Sequence, residues 1–150
     1  MEITQHLNGP VAGVGVDLIR VKRVARAYRR RPARFLQRIY SARERAALAE
    51  RGCPITALAA RFAAKEAVAK ALGCGIGPVR WNELEILQGK KGEPVVRLLG
   101  AAAGLARRKK ITGVAVSLAH DGAFALAFAV AYRNRSAMQA QNMNPSPIIF

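Results

Sequence analysis

An α+β fold built on a small antiparallel sheet is what this 150-residue chain predicts. Two observations call for hairpins. The runs 83–88 and 94–98 flank the turn Gly89-Lys90-Lys91-Gly92, and the runs 112–119 and 123–131 flank His120-Asp121-Gly122. A third observation is the alanine-rich stretch from Pro54 to Leu72, which reads as one long helix stopped by Gly73. Hairpins pair strands antiparallel, so a doubly wound parallel sheet is excluded. The expectation is a small, mostly antiparallel sheet packed against a long central helix.

The elements follow in order. Residues 11–17, Val-Ala-Gly-Val-Gly-Val-Asp, predict a short buried strand that ends on a carboxylate. Residues 20–31 and 42–51 are helical by propensity, and Pro32 opens a further short helix between them. In the long helix, Leu58, Phe62, Ala69 and Leu72 are core candidates, as is Phe124 further on. Three glycines and a proline within 73–78 predict a loop. A helix near 101–109 ends in Arg107-Arg108-Lys109-Lys110, cations suited to the negative end of its dipole.

The length suits one domain, read here as 11–132. Residues 1–10 form an N-terminal extension, and 133–150, rich in Asn, Gln and Ser with two prolines, read as a disordered tail. No stretch approaches 18 uninterrupted apolar residues, which excludes a membrane-spanning helix. Residues 1–10 lack a secretory pattern, and Cys53 and Cys74 are too few for a disulfide framework or a four-cysteine zinc site. The expectation is a cytoplasmic protein with two reduced thiols.

Twenty-five basic residues face nine acidic ones, a net charge of +16. From Arg20 to Arg45 eleven bases accompany one acid, Glu44. A density of this kind calls for a polyanionic partner: nucleic acid, a phosphorylated small molecule or an acidic protein. With acids scarce, those set among apolar residues are informative. Asp17 closes an apolar strand, where an unpaired carboxylate would be expensive. Glu66 lies in an alanine-rich helix, with Lys70 one turn on along the same face, spaced for an ordinary ion pair.

The segments Gly13-Val14-Gly15-Val16-Asp17, Arg61-Phe62-Ala63-Ala64-Lys65-Glu66-Ala67 with Lys70-Ala71, Gly73-Cys74-Gly75-Ile76-Gly77 and Ser117-Leu118-Ala119-His120 closely resemble, in order and spacing, the holo-acyl-carrier-protein synthases. These are the small, group I phosphopantetheinyl transferases. The resemblance covers roughly residues 11–132, and the Arg61–Ala67 segment is its most specific part. Ala119 departs from the Ser or Thr common before the histidine, and Cys74 from a frequent Thr.

The resemblance implies transfer of 4′-phosphopantetheine from coenzyme A to a serine hydroxyl of an acidic apo acyl carrier protein. It implies release of 3′,5′-ADP, a requirement for Mg²⁺, and a homotrimer with active sites between subunits. Asp17 and Glu66 would be the metal-binding carboxylates. Lys70, and Lys65 with it, would offset charge on the leaving phosphate. Gly73, Gly75, Gly77, Ser117 and His120 would contact coenzyme A. The serine proton would go to Glu66, to the His120–Asp121 pair or to a metal-bound water. Arg23 and Arg34 stand where the family docks its carrier, with Arg20, Lys22, Arg26 and Arg38 beside them. The alternative is a nucleic-acid-binding module using the Arg20–Arg45 block. It leaves Asp17, Glu66 and the glycine loop without a purpose, and nine aromatic residues, five Phe, three Tyr and one Trp, offer it little stacking surface.

Overall fold

A computed structural model describes residues 10–134; the expectations for residues 1–9 and 135–150 lie outside the described residues. Strand β1 (Val11–Arg20) runs directly into helix α1 (Val21–Arg30). Arg31 stays outside the helical region at φ −151° and ψ 77°, as the ring of Pro32 favours, and helix α2 (Pro32–Ile39) begins on that proline. Ser41 and Glu44 close a reciprocal capping box that starts α3 (Ala42–Glu50). The long helix α4 (Ile55–Ala71) ends on Gly73, whose φ of +72° suits glycine. There Gly73 N–H donates to the Lys70 carbonyl and Cys74 N–H to that of Ala69, the two bonds of a Schellman cap. Lys109 Nζ donates to the Leu72 carbonyl at 2.6 Å, a cation placed on the negative end of the same helix. A 3₁₀ turn, Trp81–Glu83, leads into β2 (Leu84–Gln88) and β3 (Pro94–Leu98). Helix α5 (Gly100–Arg108), β4 (Gly113–Asp121) and β5 (Phe124–Tyr132) complete the described chain.

The strands form two antiparallel sheets: a three-stranded one in the order β1-β5-β4, and the β2-β3 hairpin. Helix α4 lies across the larger sheet, as the sequence predicts. Its seat is made of small residues: Ala125, Ala127, Ala129 and Ala131 of β5 are fully buried beneath it, as are Ala63, Ala64 and Ala67 of the helix. Gly13 and Gly15 let β1 come closer still. A Cβ at position 15 would fall 2.9 Å from both the Ala67 carbonyl carbon and the Ala71 nitrogen, and nearer again to the Ala67 oxygen. Those two glycines are what set the helix–sheet spacing.

Three expectations shift, and one is the buried strand over 11–17: β1 is covered on one face only, with Val11, Val14 and Val16 exposed. The last hairpin turns at Gly122-Ala123, and His120 and Asp121 belong to β4, because the ladder continues through His120↔Ala125 and Asp121↔Phe124. Phe62 and Phe124 are only partly buried: Phe62 borders a cavity, and Phe124 lies under the Arg20 guanidinium at 5.0 Å. The sheet face turned away from α4 exposes Val14, Val16, Leu18, Leu126 and Phe128, with Leu18 61% accessible. Cys53 and Cys74 are both free thiols.

Candidate active site

Strand β1 and helix α4 bring Asp17 and Glu66 to the wall of one cavity of about 340 Å³. Asp17 is two residues beyond Gly15, and Glu66 adjoins Ala67, so the close glycine–alanine contact fixes how these two acids face each other. Arg23, Val24 and Ala27 of α1, Phe35 of α2 and Phe62 of α4 complete most of the wall.

Each carboxylate is held by one donor. Lys70 Nζ donates to Asp17 Oδ1 at 3.2 Å and to the Val16 carbonyl at 2.8 Å. Trp81 Nε1–H donates to Glu66 Oε1 at 2.7 Å. The Glu66–Lys70 pair suggested by helical spacing is thus replaced: the lysine reaches across to β1, where a carbonyl and a carboxylate together outbid a single neighbour on its own helix. Among the described residues nothing donates to the second oxygen of either acid. Two carboxylates with oxygens to spare, in one cavity, are a donor set that fits a hard divalent cation such as Mg²⁺. No group of three or more His, Cys, Asp or Glu that could hold a metal occurs among the described residues.

Lys65 is placed elsewhere. It is fully buried and off the wall of that cavity, with Nζ 2.7 Å from Glu44 Oε2 and donating also to the carbonyls of Trp81 and Leu84. Burial lowers its pKa, and Glu44 opposes that shift. Glu44 itself accepts from the backbone N–H groups of Ser41 and Ile86. An ammonium so enclosed ties α3, α4 and β2 together and exposes no surface to the cavity of Asp17 and Glu66.

The other expected contacts are spread over separate surfaces. Asp17, Ala127 and Leu118 share one row of the sheet, and Ile19, Ala125 and His120 the next but one. Ordinary strand spacing then puts the backbones of Asp17 and His120 roughly 12 Å apart. His120 and Asp121 are both exposed. Ser117 lines a second cavity, also about 340 Å³, with Arg51, Arg61, Gln88 and Pro94. Gly73, Gly75 and Gly77 all have positive φ; Gly77 borders a third cavity with Arg38 and Trp81. Arg23 is the one docking candidate on the Asp17–Glu66 cavity, whereas Lys22 and Arg26 face a groove on the other flank of α1. Arg34 is exposed, Arg20 covers Phe124, and Arg38 lies 5.4 Å over the Trp81 ring.

Sequence reasoning passed over Trp81 and gave Arg61 no role. Trp81 is the only tryptophan, which was a signal, but its meeting with Glu66 depends on the loop between them. Arg61 is half-buried at a cavity wall, and desolvation holds its pKa below the ordinary arginine value.

A family model described as the 4′-phosphopantetheinyl transferase superfamily matches residues 13–129. A holo-[acyl-carrier-protein] synthase of Desulforudis audaxviator is 48% identical over 121 residues, covering 81% of this chain and 92% of that protein. Among solved structures, the holo-[acyl-carrier-protein] synthase of Neisseria meningitidis superposes with a TM-score of 0.77 at 33% identity, over 82% of this chain and 99% of the other. The Helicobacter pylori synthase, solved in complex with coenzyme A, gives 0.70 at 28% identity, over 79% and 98%. With the family model matched over most of its length and its fold shared with these solved relatives, the chain belongs to the 4′-phosphopantetheinyl transferase superfamily, among the holo-[acyl-carrier-protein] synthases.

Proposed function

We propose that this chain transfers the 4′-phosphopantetheine group of coenzyme A to a serine hydroxyl of an acidic apo acyl carrier protein, releasing 3′,5′-ADP, with Mg²⁺ held by Asp17 and Glu66. The carrying observation is the shared cavity to which strand and helix each bring a carboxylate with an oxygen left over. Mg²⁺ bound there would take its remaining ligands from water and phosphate oxygens and neutralise charge on the diphosphate.

The chain's own residues do the positioning. Lys70, half exposed, steadies Asp17 and has its third N–H left for a phosphate oxygen. Arg51, Arg61 and Ser117 in the second cavity suit a further phosphate of the same substrate. Of the candidate bases, Glu66 alone lines the cavity with Asp17 within one chain; His120 and Asp121 would complete such a site from a second copy. That division supports the homotrimer with sites between subunits, and so does the exposed apolar sheet face, which assembly would cover. Exposed Arg23 and Arg34, with their basic neighbours, would attract the acidic carrier. Single exposed ion pairs contribute only about 0–1 kcal/mol, so the cluster acts on encounter rate and choice of partner.

The test is to incubate the protein with coenzyme A, MgCl₂ and an apo acyl carrier protein, then weigh the carrier by mass spectrometry. A gain of one phosphopantetheine, lost on adding EDTA and lost in folded Asp17→Ala and Glu66→Ala variants, supports the reading. An unchanged carrier, or full turnover in either variant, overturns it.

A further inference from the structure

Lys65 and Glu66 are consecutive on α4 but point apart, one into the interior and one to the cavity. Trp81 touches both. Its carbonyl accepts from Lys65 Nζ at 3.0 Å, and its indole N–H donates to Glu66 Oε1 at 2.7 Å. The ring itself is held on two further sides, with Phe62 at 5.8 Å between centroids and the Arg38 guanidinium at 5.4 Å. Lys65 is in turn fixed by fully buried Glu44. A line of contacts therefore runs from the interior, through Glu44, Lys65 and the Trp81 turn, to one oxygen of the Glu66 carboxylate.

We propose that Trp81 is a positioning residue for Glu66. Its N–H holds Oε1, and the second oxygen is thereby presented to the cavity shared with Asp17. The inference rests on the reading above that these two acids hold a divalent cation. Left alone, a glutamate side chain has three rotatable bonds and no preferred aim; a fixed donor on one oxygen removes most of that freedom. Groups behind metal ligands commonly change metal affinity 10–100-fold when altered. The buried Lys65 acquires a purpose here: by fixing the Trp81 carbonyl it fixes where the indole points.

Trp81→Phe keeps an aromatic ring beside Phe62 and Arg38 while removing the N–H together with one of the two fused rings. Calorimetric titration of MgCl₂ into the full chain with coenzyme A present should show Mg²⁺ binding weakened roughly ten-fold or more in this variant, and lost in Glu66→Gln. Affinity for coenzyme A without metal, and the melting temperature, should stay close to wild type, since neither depends on the aim of Glu66. A second readout needs no variant at position 81. As the only tryptophan, Trp81 should change its emission when Mg²⁺ is added to the wild-type chain with coenzyme A, and not in Glu66→Gln. If Trp81→Phe binds Mg²⁺ as tightly as wild type while Glu66→Gln does not, the positioning role falls and the cation site stands. If metal-free coenzyme A affinity falls equally with Mg²⁺ affinity, Trp81 acts by packing alone and the proposal is overturned. If Glu66→Gln binds Mg²⁺ normally, the cation site is misassigned and the inference falls with it.

Discussion

Adding one methyl group at Gly15 should disable the site from a distance. The Cβ would stand 2.9 Å from the Ala67 carbonyl carbon and from the Ala71 nitrogen, and nearer to the Ala67 oxygen, whereas ordinary contact begins near 3.4 Å. Every atom it meets is backbone, so no side chain can swing away. Relief requires α4 and β1 to separate by about 1 Å. Overpacking of this kind costs about 1–3 kcal/mol, and at about 4 °C per kcal/mol for a domain of this size the melting temperature should drop by about 4–12 °C. The larger effect is on rate. Asp17 and Glu66 flank the forced contact on its two elements, and a misplacement of about 1 Å at a reacting centre can cost on the order of a hundredfold. Gly104→Ala is the control. It lies inside α5 at ordinary φ with only Arg108 Nη1 nearby, at 3.5 Å, so the methyl should stabilise the helix by about 0.5–1 kcal/mol and leave turnover alone. Initial rates of carrier mass gain, beside thermal melts of the two variants, decide the matter. A Gly15→Ala protein that melts and turns over like wild type would refute the claim that these glycines set the spacing of the acids.

Lys65→Met should destabilise the fold by about 3–5 kcal/mol in chemical denaturation, because it strands the buried Glu44 carboxylate; a folded variant that had lost coenzyme A affinity selectively would restore a phosphate-binding role for this lysine. Leu18→Lys, at a position 61% exposed in the single chain, should cost an isolated subunit little yet reduce the mass seen by light scattering from trimer to monomer; an unchanged mass, or a monomeric wild type, contradicts the assembly. Arg34→Glu, at an exposed position off the wall of the Asp17–Glu66 cavity, should raise KM for the carrier protein several-fold and flatten its salt dependence while leaving KM for coenzyme A in place; equal effects on both would remove Arg34 from docking.

Much of this was legible in the amino-acid order, for identifiable reasons. Asp17 and Glu66 stood out because acids are scarce in this chain and both sit among apolar residues, where a carboxylate needs a purpose. Turn chemistry placed the hairpins, and Pro32 and Gly73 marked their helix ends. What could not be read depended on direction in space. Helix α4 is small or apolar on nearly every side, so its periodicity gave no means to tell that Lys65 points inward and Glu66 outward. Spacing proposed a Glu66–Lys70 pair, but the fold supplied Lys70 with a carbonyl and a carboxylate on β1. The turn residues His120 and Asp121 proved to be strand because hydrogen bonding to β5 continues past the polar composition. The Trp81–Glu66 bond joins residues fifteen apart, and only the loop between them decides that they meet.

One divalent ion held between Asp17 and Glu66 is the centre of the proposed site. A crystal structure grown with coenzyme A and Mn²⁺ in place of Mg²⁺ should show a single anomalous peak in the cavity between β1 and α4, with one oxygen of Asp17 and one of Glu66 each within about 2.2 Å and a diphosphate oxygen completing the shell. A peak elsewhere on the protein, or a bound diphosphate with both carboxylates turned away from the metal, would contradict it.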